Sequence, residues 1–175
     1  MKYKQKIDVI VALFLVLIGS ILLVLPLFKI SNIKAIGIII FSIYTVLNIV
    51  QYILTYKSKD IESIISAVAS IVALIVTIVT NPQNSPRTLA MILMTWVIIM
   101  SLAKLHKADY YHDRRDRMWK VRVLNLGIFI IAGILTSINL AYTNEVQIIV
   151  IGFFMFIHGI VELFDPVTKY LIAHS

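Results

Sequence analysis

The sequence predicts an all-α polytopic membrane protein: six transmembrane helices arranged as three consecutive hairpins with parallel pseudo-repeats. Three observations carry this expectation. Sixty per cent of the 175 residues are apolar and 14% are charged, whereas a soluble domain is about half apolar and about a quarter charged. The charges gather in short clusters between long apolar runs. Six of those runs approach the ~20 residues that a helix needs to cross a hydrocarbon core of about 30 Å.

The first run, 7–28, lies between Lys6 and Lys29. It follows three lysines, as a secretory signal would. Its apolar stretch is too long for one, and no small-x-small cleavage site follows, so it reads as a retained helix. The second run, 33–56, follows the turn Ile30-Ser31-Asn32 and ends at Lys57. The third, 61–80, is ended by Asn81-Pro82, since proline cannot continue a helix. The fourth, 88–105, follows Pro86-Arg87; the fifth is 121–142; the sixth, 146–164, is expected to stop at Asp165-Pro166. At this length the chain reads as a single domain, 1–175.

Orientation follows from counting Lys and Arg between the spans. With the N-terminus in the cytoplasm, the inner side holds Lys2, Lys4, Lys6, Lys57, Lys59, Lys104, Lys107, Arg114, Arg115, Arg117, Lys120, Arg122 and Lys169, and the outer side only Lys29, Lys34 and Arg87. Both termini are therefore expected in the cytoplasm. The net charge of +7 is assigned to this bias and to anionic headgroups rather than to nucleic acid. With no cysteine there is no disulfide framework, thiolate metal site or catalytic thiol.

A pentad recurs near the end of each second hairpin helix: Asn48-Ile49-Val50-Gln51-Tyr52, Ser101-Leu102-Ala103-Lys104-Leu105 and Gly159-Ile160-Val161-Glu162-Leu163. Pro26 and Pro82 mark the first two hairpin turns, and Asn139-Leu140 holds the equivalent place in the third. Gly19 and Gly133 each lie seven residues before that point. Three repeats of one orientation would pack around an axis along the membrane normal. These glycines, turns and pentads, with Asn81-Pro82 at a turn, resemble the HdeD-like acid-resistance family of small bacterial membrane proteins. The resemblance implies six helices in repeated hairpins and a role in acid or envelope-stress tolerance at the inner membrane. It implies no catalytic residue. The third hairpin departs from the pattern by lacking the proline, and the 104–122 segment is more charged.

The polar residues inside the spans are the candidates for chemistry, because ionisable groups in hydrocarbon are costly and often functional. His158 and Glu162 are four apart, on one helix face, with Asp165 three further on. A histidine beside a carboxylate can exchange protons near neutral pH. Alternatively, Glu162 and Asp165 reach water at the helix end and His158 is an interhelical contact. Asn48, Gln51, Asn125 and Asn139 read as interhelical hydrogen bonds or interface residues. Ser63, Ser66, Ser70, Ala73 and Thr77 fall on one face of the third helix, a small-residue stripe suited to close packing, and Gly127, Gly133, Gly152 and Gly159 are expected to do similar work.

The segment 104–122, KLHKADYYHDRRDRMWKVR, contains no Gly or Pro and is expected to extend helices four and five or to join them by an interfacial helix. Asp113 with Arg117, and Asp116 with Lys120, have favourable i,i+4 spacing. Tyr110, Tyr111 and Trp119 suit the headgroup layer. Lys104, Lys107, Arg114, Arg115, Lys120 and Arg122 are candidate contacts for anionic lipid. His106, Asp109, His112, Asp113 and Asp116 share a face that could hold a divalent metal. Arg117 and Lys120 would pair with those acids, so a salt-bridged surface is the preferred reading.

The sequence carries no nucleotide loop, zincin helix, serine elbow or EF-hand. The leading expectation is a non-enzymatic inner-membrane protein without cofactor or bound metal, acting in stress tolerance or as a partner in a membrane complex or homo-oligomer. One alternative is a small transporter or proton-linked channel using His158 and Glu162. Another is a lipid-modifying enzyme using the 104–122 segment.

Overall fold

The computed structural model describes residues 3–29, 32–56, 61–82, 85–113, 116, 118–142 and 146–172. They form six helices: α1 (Tyr3–Val24), α2 (Ile33–Leu54), α3 (Ile61–Thr80), α4 (Pro86–Asp113), α5 (Met118–Tyr142) and α6 (Gln147–Ile172). All six are long and apolar enough to cross a membrane, so the chain is a multi-pass membrane protein. Leu13, Leu17, Ile39, Val46, Ile75, Leu124, Ile131 and Phe153 are among the many large apolar side chains exposed on the bundle surface. Water would penalise such a belt, and acyl chains do not.

Helix ends follow local chemistry, in several places differently from the expectation. In α1 the helix begins at Tyr3 and tightens at Val24 into a 3-10 turn, Leu25–Phe28. Pro26 has no N–H for the i→i−4 ladder, and the turn closes when Lys29, at φ 58, donates its N–H to the Pro26 carbonyl. Helix α2 starts on an asparagine cap: Asn32 Oδ1 accepts the Ala35 N–H at 3.0 Å. Helix α3 ends at Asn81, left-handed at φ 48, with Pro82 behind it; asparagine adopts that conformation at little cost.

The 104–122 segment is not an interfacial helix. Of its described residues, 104–113 end α4, which runs eight residues past the expected 105, and 118–122 begin α5. Asp116 Oδ1 accepts the Met118 N–H at 3.0 Å and caps α5, so it does not form the anticipated helical pair with Lys120. That lysine lies 6.0 Å from the Trp119 ring centre. Arg114, Arg115 and Arg117 lie outside the described residues, and the Asp113–Arg117 pair with them.

Two other corrections concern the third hairpin. Asn139 and Leu140 do not form its turn: α5 continues to Tyr142, and Asn139 donates to the Leu135 carbonyl of its own helix at 2.8 Å. Nor does Asp165-Pro166 stop α6, which reaches Ile172 with Pro166 inside it. Proline removes only the N–H that would bond the Glu162 carbonyl. Asp165 is anchored to α5 from both sides (below), and the flanking turns of α6 continue.

The hairpins pack on their neighbours more closely than within themselves. The second helix of each lies along the first helix of the next: α2 on α3, α4 on α5, and α6 back on α1. The ring therefore closes, as parallel repeats around an axis along the membrane normal would. Small residues set these seams. A Cβ on Gly159 would lie 2.6 Å from the Val16 backbone nitrogen, one on Gly152 2.9 Å from Leu22 Cβ, and one on Gly133 2.6 Å from a Val97 methyl. Gly127 is different: nothing in the surroundings lies within 4 Å of its missing Cβ, so it sets no close approach. The stripe on α3 is buried throughout, and Thr77 meets Gly37 of α2.

Candidate functional site

Inside the ring the bundle has three levels. The half away from the basic end is packed with Phe41, Leu89, Leu93, Leu140, Ile151 and Met155. The middle is an aromatic layer. Trp96 sits at its centre, edge-on to Tyr44 at 5.1 Å, Phe129 and Phe154 at 6.1 Å, and His158 at 6.2 Å between ring centres. The indole N–H is satisfied by Ser70 Oγ at 2.9 Å, and Ser70 donates in turn to the Ser66 carbonyl. The half at the basic end is hollow: a chamber of about 250 Å³ lined by polar and charged side chains of all six helices except for a few apolar positions.

The chamber is deep. Its α1 wall runs from Lys4 to Leu15, which at 1.5 Å per residue is about 16 Å, or half of a hydrocarbon core. Its floor is Tyr44. The Tyr44 hydroxyl and His158 Nε2 share a hydrogen bond of 2.9 Å. His158 is 1% exposed, and its Nδ1 has no hydrogen-bond partner. Glu162 Oε1, one helical turn away, lies 3.9 Å from that nitrogen.

Each hairpin has a polar bridge between its two helices at this level. Gln51 of α2 donates to Asp8 of α1 at 2.8 Å. Lys104 of α4 pairs with Glu62 of α3 at 3.2 Å. Arg122 of α5 pairs with Asp165 of α6 at 2.8 Å, and Asn125 donates to the other oxygen of Asp165 at 2.9 Å. The fourth residues of the three pentads, Gln51, Lys104 and Glu162, therefore all line one chamber, one neutral, one cationic and one anionic. Two further pairs add to these: Lys104 with Glu162, across hairpins, and Lys107 with Glu62, within the second. Ionic groups in a low-dielectric interior must be matched in this way, because an unpaired one carries the full desolvation penalty.

The sequence-derived candidates are thus partly united. Glu162, Gln51 and Asn48 line the chamber, with Asn48 donating to the Tyr44 carbonyl at 2.7 Å, and His158 lies behind the floor, bonded to Tyr44. Glu162 and Asp165 are ion-paired inside the bundle rather than simply reaching water. The basic residues divide. Lys104, Lys107 and Arg122 turn inward to carboxylates, with side chains 10%, 22% and 11% exposed. That placement replaces the lipid contact expected of them. Lys120 is exposed, and Arg114 and Arg115 lie outside the described residues. Tyr111 also departs from expectation: it lines the chamber, with the Arg122 guanidinium 4.4 Å and the Lys169 ammonium 5.6 Å from its ring centre. Among the described residues no group of three or more His, Asp or Glu could hold a metal ion. The His106–Asp116 face is divided by the end of α4.

Sequence reading missed Tyr44, Trp96, Glu62 and Asp8. Only Asp8 carried a signal of its own, a carboxylate inside an apolar run, where such a group needs a partner. Compared with protein-family models, curated proteins and solved structures, the chain matches none of them.

Proposed function

We propose that this chain is a small proton-linked transporter of the bacterial cytoplasmic membrane, non-enzymatic, with both termini and the chamber mouth facing the cytoplasm. The observation that carries this reading is the buried His158 under a half-membrane-deep polar chamber, bonded to Tyr44 and facing Glu162. Repeat-built transporters hold their sites near the bilayer midplane at the interface between repeats, and a chamber about half a membrane deep, lined from all three hairpins, supports the same arrangement here. If Tyr44 donates to Nε2, the single ring proton of neutral His158 sits on Nδ1, facing Glu162. Glu162 in turn is shared with Lys104, so a proton gained or lost at His158 competes with Lys104 for the same carboxylate. The aromatic layer around Trp96 closes the path beyond, and its rearrangement would be the opening step.

The test is proton flux into liposomes loaded with a pH dye. Dye-reported flux should exceed that of empty liposomes and fall to background in His158→Gln and Glu162→Gln. No flux above empty liposomes, or equal flux in both variants, would overturn the reading. The setting, acid or envelope-stress tolerance, rests on the resemblance to HdeD-like proteins. Unchanged acid and envelope-stress survival after deletion would remove that setting without touching the transport reading.

A further inference from the structure

The chamber's charges are not symmetric in what they leave open. Its described lining has five cations, Lys4, Lys104, Lys107, Arg122 and Lys169, against four carboxylates, Asp8, Glu62, Glu162 and Asp165. Each carboxylate already holds a donor from the protein: Gln51 on Asp8, Lys104 and Lys107 on Glu62, Lys104 on Glu162, Arg122 and Asn125 on Asp165. A cationic guest would have to displace one of these, leaving a partly buried ammonium or guanidinium unmatched.

The donors are less fully used. Arg122 Nε is buried and has no acceptor, although its guanidinium is fixed at one nitrogen by Asp165 and across its face by Tyr111. Lys169 meets the same Tyr111 ring and, among the described residues, pairs with no carboxylate. An arginine and a lysine therefore share one aromatic ring in the chamber lining, and the arginine keeps a buried N–H without an acceptor. A buried donor without an acceptor is destabilising, and a guest oxygen would satisfy it. Arginine presents its N–H groups in a fixed fork suited to planar oxyanions.

We infer that the chamber takes a small oxyanion, carboxylate or phosphate, held at Arg122 and Lys169 over Tyr111. This rests on the reading of the chamber as a solute site. An anion brings the lining to neutrality, and an anion moving with one proton moves with one charge fewer, which suits passage through a layer of low dielectric.

The experiment is equilibrium binding of radiolabelled inorganic phosphate, and separately of acetate, to the full chain in phosphatidylcholine nanodiscs. At least one probe should bind saturably, about tenfold or more weakly in Arg122→Lys, which keeps the charge but loses the Nε donor and the fork. Lys169→Gln, which removes no ion pair among the described residues, guards against a folding defect in the first variant and should also weaken binding. Saturable binding of neither probe, or unchanged affinity in both variants, would overturn the inference. Phosphatidylglycerol in the nanodiscs distinguishes the source. Displacement of free phosphate by that lipid keeps the oxyanion site but makes a headgroup its occupant; no displacement assigns it to a free solute. Probe binding without proton flux would leave this site standing and refute the transporter, and proton flux without probe binding would do the reverse.

Discussion

The Tyr44 hydroxyl lies 2.9 Å from His158 Nε2, a contact between α2 and α6 that joins residues 114 positions apart in the chain. It fixes which imidazole nitrogen faces the aromatic layer and which faces Glu162. Tyr44→Phe keeps the ring contact with Trp96 and removes the hydroxyl that makes this bond. The expected loss is about 1 kcal/mol of stability, in the range of buried and interhelical hydrogen bonds, with proton flux lowered but not abolished. Thermal unfolding in detergent and liposome flux check the two effects. Flux at the level of the unaltered protein would separate Tyr44 from the proton path.

Lys104 serves two carboxylates, Glu62 and Glu162. Lys104→Met leaves both with one cation fewer and should destabilise the bundle by about 2–3 kcal/mol. That is below the value for a wholly buried pair, because Glu162 is 28% exposed. Adding Glu162→Gln should recover part of the loss, which a double-mutant cycle reads as a coupling of about 1 kcal/mol or more. Additive effects of the two substitutions would show that the pair contributes nothing.

The α1–α6 seam depends on glycine. A Cβ at Gly19 would lie 2.6 Å from Phe156 Cα, and one at Gly159 2.6 Å from the Val16 backbone nitrogen. Backbone cannot move aside as a side-chain tip can, so Gly19→Ala or Gly159→Ala forces the helices apart and should cost about 1–3 kcal/mol, as overpacking does. Gly127→Ala meets no neighbour and should be neutral or stabilising by up to about 1 kcal/mol through helix propensity. Melting temperatures of the three variants decide this, and a Gly127 variant as damaged as the others would contradict the seam.

The absence of cysteine makes the chamber open to single-cysteine labelling. Ser63→Cys and Asn48→Cys, on the chamber wall, should react with a membrane-impermeant maleimide supplied from the basic side. Leu93→Cys and Phe154→Cys, in the packed half and the aromatic layer, should not. Labelling of position 154 as fast as of position 63 would mean that the floor is not closed.

How much of this was legible in the sequence differs by level. Apolar runs about 20 residues long, interrupted by charge clusters, determine six membrane helices regardless of how they pack, because each helix satisfies its own backbone in lipid. The spacing of His158 and Glu162 also places them on one face without further information. The recurring pentads singled out Gln51, Lys104 and Glu162, which all line one chamber. Only the tertiary structure decided what these positions do. A lysine or arginine near a helix end satisfies the membrane equally well by reaching outward to headgroups or inward to a carboxylate. The choice for Lys104, Lys107 and Arg122 depends on acids 42, 45 and 43 positions away, at Glu62 and Asp165. The chamber itself exists because second helices pack on the next hairpin through glycine and small residues while polar bridges span each hairpin. That balance of close seams and matched charges is a property of the assembled ring, not of any one helix.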